Sequence, residues 1–174
     1  MNWSRFLAEG ERAVRIVRSG LRRRGINVGD SIITSFNTDE DLPVYDCNEN
    51  KLFWISVKAV SGEIADPVRQ MPPNYKGWMC GEVESKQWVN PPAVIIWYCL
   101  RTNVAWGAIT PNRPSTKWII FPDRYGVVID KRKTAVTGQA HYLYPSYCVP
   151  PVEIISKDEA IEYIQELIQQ RSRG

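Results

Sequence analysis

Two charged residues in this chain stand at a spacing that could cleave a phosphodiester. Asp41 opens the run D-L-P-V-Y-D (41–46), and Lys58 ends the apolar run L-F-W-I-S-V-K (52–58). The polar stretch Cys47-Asn48-Glu49-Asn50 between them reads as a hairpin loop. A four-residue loop pairs Asp46 with Lys51, and counting outward sets Asp41 opposite Ser56. Lys58 lies two residues further on. Strand side chains alternate with period two, so Asp41, Ser56 and Lys58 are expected on one face. Asp41 and Lys58 should then approach within about 4–6 Å, the range in which opposite charges perturb one another. A carboxylate in that place can hold a hard divalent cation, Mg²⁺ or Mn²⁺. Such a cation polarises a phosphoryl oxygen and acidifies a bound water. The ammonium can stabilise charge developing on phosphorus. The backbone carbonyl of Val57 is a candidate to complete the metal shell.

These residues need a sheet to hold them and a helix beside it. Leu52–Val60 reads as a strand, and so does Asp41–Asp46, where Pro43 suits an edge or a strand start. Val28–Phe36, with Ile32-Ile33, is expected as a third strand. Ala93–Leu100 (A-V-I-I-W-Y-C-L) is apolar throughout and reads as central; Val104–Ile109, Lys117–Phe121 and Tyr125–Ile129 read as short strands. Residues 61–92 are rich in proline and are expected to form an irregular insertion, with one helical piece near Glu82–Trp88. The chain begins with a helix, on which Phe6, Gly10, Val14, Val17 and Leu21 share a face and Gly25 is the stop signal. It closes with another, opened by the capping box Ser156…Glu159, with Ile161, Ile164, Leu167 and Ile168 as its buried stripe.

Charge is distributed unevenly. The whole chain carries +3, whereas residues 1–24 carry +5, all of the positive charge being arginine. A helix bearing Arg12, Arg15, Arg18 and Arg22 is either a solvated face or a phosphate-facing one. Guanidinium forks, used here without a single lysine, suit phosphate. Lys131-Arg132-Lys133 is a second basic cluster that reads as a solvated loop.

Composition excludes several functions. The only histidine is His141, and none of the four cysteines (Cys47, Cys80, Cys99, Cys148) forms a C-x-x-C pair. A zinc site and His-based nucleophile chemistry are therefore disfavoured. Hydrophobic residues at 44% and charged residues at 24% describe a globular domain. No apolar run reaches the roughly 18 residues of a membrane span. The expectation is one cytoplasmic domain spanning residues 1–174, with thiols kept free. Seven Trp and eight Tyr suit a sheet-rich core, or else a stacking surface for bases.

The sequence of helix with internal Glu, Asp, hairpin and I-S-V-K resembles the PD-(D/E)XK nuclease superfamily, and most nearly its resolvase-like branch. The resemblance covers roughly residues 5–60, with Ala93–Leu100 as a further core strand. It implies an α/β fold, a mixed twisted sheet flanked by the N-terminal and C-terminal helices. It also implies Mg²⁺-dependent cleavage of DNA. Asp41 matches the motif Asp and Lys58 the motif Lys. Glu11 matches the helix Glu, with Glu9 as the substitute. Ser56 stands where the family usually has its second acid. Glu49 and Glu63 are other candidates to complete the site. Asp41 and Glu11 would be the metal ligands and Lys58 the catalytic cation, with Ser56 touching metal-bound water or substrate phosphate. The alternative is a degenerate module of the same fold that binds DNA or a protein without cutting. A homodimer is left open.

Overall fold

The computed structural model describes residues 3–33, 39–71, 77–82, 88–110, 119–121 and 146–173. The expected strand at Tyr125–Ile129, the basic cluster at 131–133 and His141 lie outside these residues.

The first helix, α1 (Trp3–Arg23), buries Ala13, Val17 and Leu21 on the face that the spacing selects. It stops at Gly25, whose φ of 80° suits glycine. There the Ile26 N–H donates to Leu21 O at 3.1 Å and the Gly25 N–H to Arg22 O at 3.0 Å. These two bonds satisfy carbonyls that a helix end would leave bare, and Ile26 is buried behind them.

Strands β1 (Leu42–Tyr45) and β2 (Lys51–Val60) form the expected antiparallel hairpin. Leu42 faces Ile55 and Val44 faces Phe53, the register obtained by counting from the loop. One irregularity between Val44 and Tyr45 sets Tyr45, not Asp46, opposite Lys51. Asp46 instead closes the loop, accepting from the backbone N–H groups of Asn48 and Asn50 at 2.8 and 2.9 Å.

The chain then makes β3 (Trp78–Glu82), β4 (Val94–Cys99), β5 (Val104–Ile109), β6 (Ile119–Phe121), β7 (Ser146–Val149) and β8 (Ile155–Ser156). A five-stranded mixed sheet runs β1-β2-β4-β5-β8, with β2 and β4 parallel and the other neighbours antiparallel. β4 is buried along its whole length, as its unbroken apolar run requires. Helix α2 (Lys157–Ser172) follows the capping box at Ser156 and Glu159 and buries Ala160, Ile161, Ile164 and Leu167.

Both helices pack on one face of this sheet. Val17 and Leu21 of α1 and Ile161 and Ile164 of α2 share a core with Ile55, Val57, Ile96 and Tyr98. The opposite face is covered by a second sheet, β3-β7-β6. The two sheets meet through tryptophan: Trp78 of β3 packs on Trp106 of β5 with ring centroids 4.8 Å apart, and Trp97 Nε1 of β4 donates to Met79 O at 2.9 Å. The proline-rich stretch is thus not only a connection, because it supplies the strand β3. The helical piece near Glu82–Trp88 falls largely on residues outside those described. The expected strand at Val28–Phe36 is reduced to two single bridges, Val28 with Val44 and Ile32 with Glu40.

Candidate functional site

The segment after α1 frames Asp41. Gly29 N–H donates to Pro43 O at 2.9 Å, and the Ser31 hydroxyl donates to the Asp41 carbonyl at 2.9 Å. Two arginines of α1 tie this segment down. Arg18 Nε donates to Gly29 O at 3.2 Å and Arg22 Nε to Val28 O at 3.0 Å. Both also approach Asp30 at 3.7 Å. Arg12 and Arg15 are exposed.

Asp41 stands one residue before β1 begins. Its Oδ2 accepts a hydrogen bond of 2.8 Å from the backbone N–H of Val57. Burial pushes the Asp41 pKa up. The Val57 N–H, the Lys58 ammonium and the Ser56 hydroxyl pull it back in part, while Asp39 adds to the rise. A carboxylate desolvated in this way gains most from a nearby cation.

Ser56 is buried and Lys58 half-buried. They alternate with Ile55 and Val57, which belong to the helix-side core, so they lie on the other face of β2. Lys58 reaches toward the second sheet as well, where its charge acts on the Cys80 thiol; burial pushes that thiol up to about 12. The Lys58 charge thus acts on both Asp41 and Cys80.

On the helix side, Asp41 and Val57 open onto a cavity of about 660 Å³ that Glu11, Asp39, Arg15 and Arg18 also line. Glu11 thus comes to the same cavity as Asp41. The alternatives are placed elsewhere: Glu9 pairs with Arg5 at 3.0 Å, Glu63 approaches Arg101 at 3.8 Å, and Glu49 sits exposed in the hairpin loop. Ser56 and Lys58 adjoin Asp41 but do not line the cavity, so the single face expected for Asp41, Ser56 and Lys58 does not form: Asp41 precedes the β1 ladder and opens to the helix side, while Ser56 and Lys58 take the other face of β2. Among the described residues no three carboxylate, thiol or imidazole side chains gather closely enough to make a metal cluster by themselves. Mg²⁺ does not require three, because it is commonly held by one or two carboxylates, with water and substrate phosphate completing its octahedron. Asp41 and Glu11 bring two carboxylates to the lining of one cavity, one of them desolvated.

Sequence reasoning passed over two acids here. Asp39 lines the cavity, and Glu40 is fully buried, gripping Lys51 Nζ with both oxygens at 2.6 and 2.8 Å. The signal was the run D-E-D at 39–41, which puts three acids side by side at the entry to a strand.

Comparison with protein-family models, with curated proteins and with solved structures gave no match.

Proposed function

We propose that the chain is a metal-dependent phosphodiesterase acting on DNA, with a restriction-endonuclease-like core. One observation carries the reading: the buried Asp41 carboxylate, anchored by the Val57 N–H and adjoined by Ser56 and Lys58, opens onto a cavity that Glu11 also lines. Asp41 and Glu11 would hold Mg²⁺ or Mn²⁺, with the Val57 carbonyl as a further ligand. The metal, when bound, would supply Lewis acidity and a more acidic water. Val57 N–H fixes one oxygen of Asp41. Lys58 offsets negative charge beside it and so favours the ionised carboxylate against the effect of burial. Ser56 offers a hydroxyl where a second acid would add charge, so the site would be one negative charge poorer than the family pattern. Arg15 lines the cavity and Arg12 is exposed on the same helix, both cations suited to a phosphate backbone.

The test is nicking of supercoiled plasmid with Mg²⁺ or Mn²⁺, beside a chelator control. Wild type should cut only with the metal, and Asp41→Ala and Lys58→Ala should lose the activity while keeping a native circular dichroism spectrum. Equal cutting by all three proteins would assign it to a contaminant. A second reading is favoured by Ser56: a module of this fold that binds DNA or protein and does not cut. In that case wild type would shift DNA in a gel without nicking it under any metal.

A further inference from the structure

A second cavity lies apart from the Asp41 site, lined by α1 and α2 over β4 and β5. Its volume is about 310 Å³. That is the lower end of the range for small-molecule sites, roughly 300–1,000 Å³, and about twice the roughly 150 Å³ that holds a single benzene ring. The floor is Ile96, Tyr98 and Ala105, and the walls are Val17 and Leu21 from one helix and Ile161 from the other. The rim is cationic, with Arg23 and Arg24 at the end of α1 and Lys157 at the start of α2. Arg24 is partly neutralised by Asp158 at 3.8 Å. Among the described residues, neither Arg23 nor Lys157 has a carboxylate within ion-pair distance. One polar pair marks the floor, the Tyr98 hydroxyl donating to Asn103 Oδ1 at 2.7 Å.

Gly20 is the telling residue. It lines the cleft in the last turn of α1, where glycine is a poorer helix former than alanine. Its backbone does not need glycine, and a Cβ built there would meet only the far end of Arg23, at 3.9 Å. Neither packing nor conformation accounts for the missing side chain. What the missing side chain does provide is open space against an apolar floor, beneath Arg23 and Lys157.

We propose that this cleft binds a small amphipathic anion, a carboxylate or phosphate carried on a compact apolar body. The body lies on Ile96 and Ala105 beside Gly20, and the head meets Arg23 and Lys157. The inference is independent of the nuclease reading, because the two cavities have only α1 in common.

Octanoate is the probe and 1-octanol its uncharged counterpart, both titrated into the ¹⁵N-labelled full chain. Octanoate should shift the amides of Gly20, Tyr98, Ala105 and Ala160 and saturate. Octanol should bind at the same amides about threefold to tenfold more weakly, the scale of one or two partly exposed charge contacts. Gly20→Leu should fill the cleft and weaken octanoate at least tenfold, while the protein melts no lower than wild type. The double variant Arg23→Ala/Lys157→Ala leaves the walls alone and should bring octanoate down to octanol's affinity. Octyl phosphate beside octanoate distinguishes the two head groups. Absence of shifts at these amides, or octanoate binding that Gly20→Leu and the double variant both leave unchanged, would overturn the proposal. Equal affinity for octanol and octanoate would overturn the anionic assignment.

Discussion

The carboxylate of Asp41 takes a place in the sheet that a backbone carbonyl would otherwise fill. Its Oδ2 lies 2.8 Å from the Val57 amide nitrogen, at the point where β1 has not yet begun and β2 runs on. The strand edge is satisfied by a charged side chain, and that charge is held where water is scarce.

This placement gives Asp41 a titration of its own. Burial raises its folded pKa above the ordinary 3.8, so the folded state binds that proton more tightly than the unfolded state does. The stability this proton contributes is complete below the unfolded value and is lost as pH rises through the folded one. Carboxyl ¹³C shifts should show a midpoint above 3.8 that moves down when Mg²⁺ is added. A midpoint indifferent to Mg²⁺ would count against a metal ligand at Asp41. Asp41→Asn keeps an acceptor for Val57 and removes the ionisation, so its melting temperature should lose this component of pH dependence.

Much of this arrangement was legible in the sequence, and the reasons are local. Loop length fixed the pairing of Leu42 with Ile55, and the resemblance singled out Glu11, which lines the cavity. The alternation rule worked for Ser56 and Lys58 because β2 is a regular strand there. It does not govern Asp41, which lies outside the β1 ladder and opens to the helix side, away from Ser56 and Lys58. The second sheet was hidden because β3 is flanked by proline-rich sequence and its partner β7 lies some 65 residues away, too far for periodicity to link them. Val28–Phe36 carries strand-like residues, yet Arg18 and Arg22 take up carbonyls at 28 and 29, and only single bridges form.

Glu40, two residues before β1, is tied to Lys51, the first residue of β2. Glu40 is 2% exposed, and Lys51 is its partner in the described structure. Removing one member of a buried pair strands the other charge, so Lys51→Ala should cost about 3 kcal/mol in urea unfolding, less to the extent that water reaches the half-exposed lysine site. Glu40→Gln/Lys51→Met removes both charges and should recover most of the loss. If the single and double variants are equally unstable, the pair acts through packing and not through charge.

The cysteines should divide by reactivity. Cys47 is exposed, whereas Cys80, Cys99 and Cys148 are buried. Burial pushes Cys80 up to about 12 and Cys148 up to about 11, so neither offers thiolate near neutral pH. Iodoacetamide at pH 8 should label Cys47 rapidly in the native protein, and all four thiols only after denaturation. Lys58→Met removes a cation that favours the Cys80 thiolate, so it should slow Cys80 labelling further. Faster labelling of Cys80 in that variant would mean that Lys58 shields the thiol from solvent more than it tunes it.

The arginines of α1 should separate into two pairs with different jobs. Arg18 and Arg22 donate to the carbonyls of Gly29 and Val28, and the Arg18 side chain is only 14% exposed. Their loss would free the segment that carries Ser31, whose hydroxyl holds the Asp41 carbonyl. Hydrogen bonds made by a charged donor contribute roughly 1.5–3 kcal/mol, so Arg18→Ala should lower stability by about 1.5 kcal/mol, and the more exposed Arg22→Ala by less. Arg12 and Arg15 are exposed, and Arg15 lines the cavity. On the nuclease reading each meets a phosphate. Arg12→Ala/Arg15→Ala should leave the melting temperature near wild type and lower the slope of log affinity for duplex DNA against log salt by up to about two units. Arg18→Ala/Arg22→Ala should show the opposite pattern, a lower melting temperature with a nearly unchanged slope measured well below it. If the slope follows Arg18 and Arg22 instead, the carbonyl contacts are not their main task, and the phosphate track runs along the other side of α1.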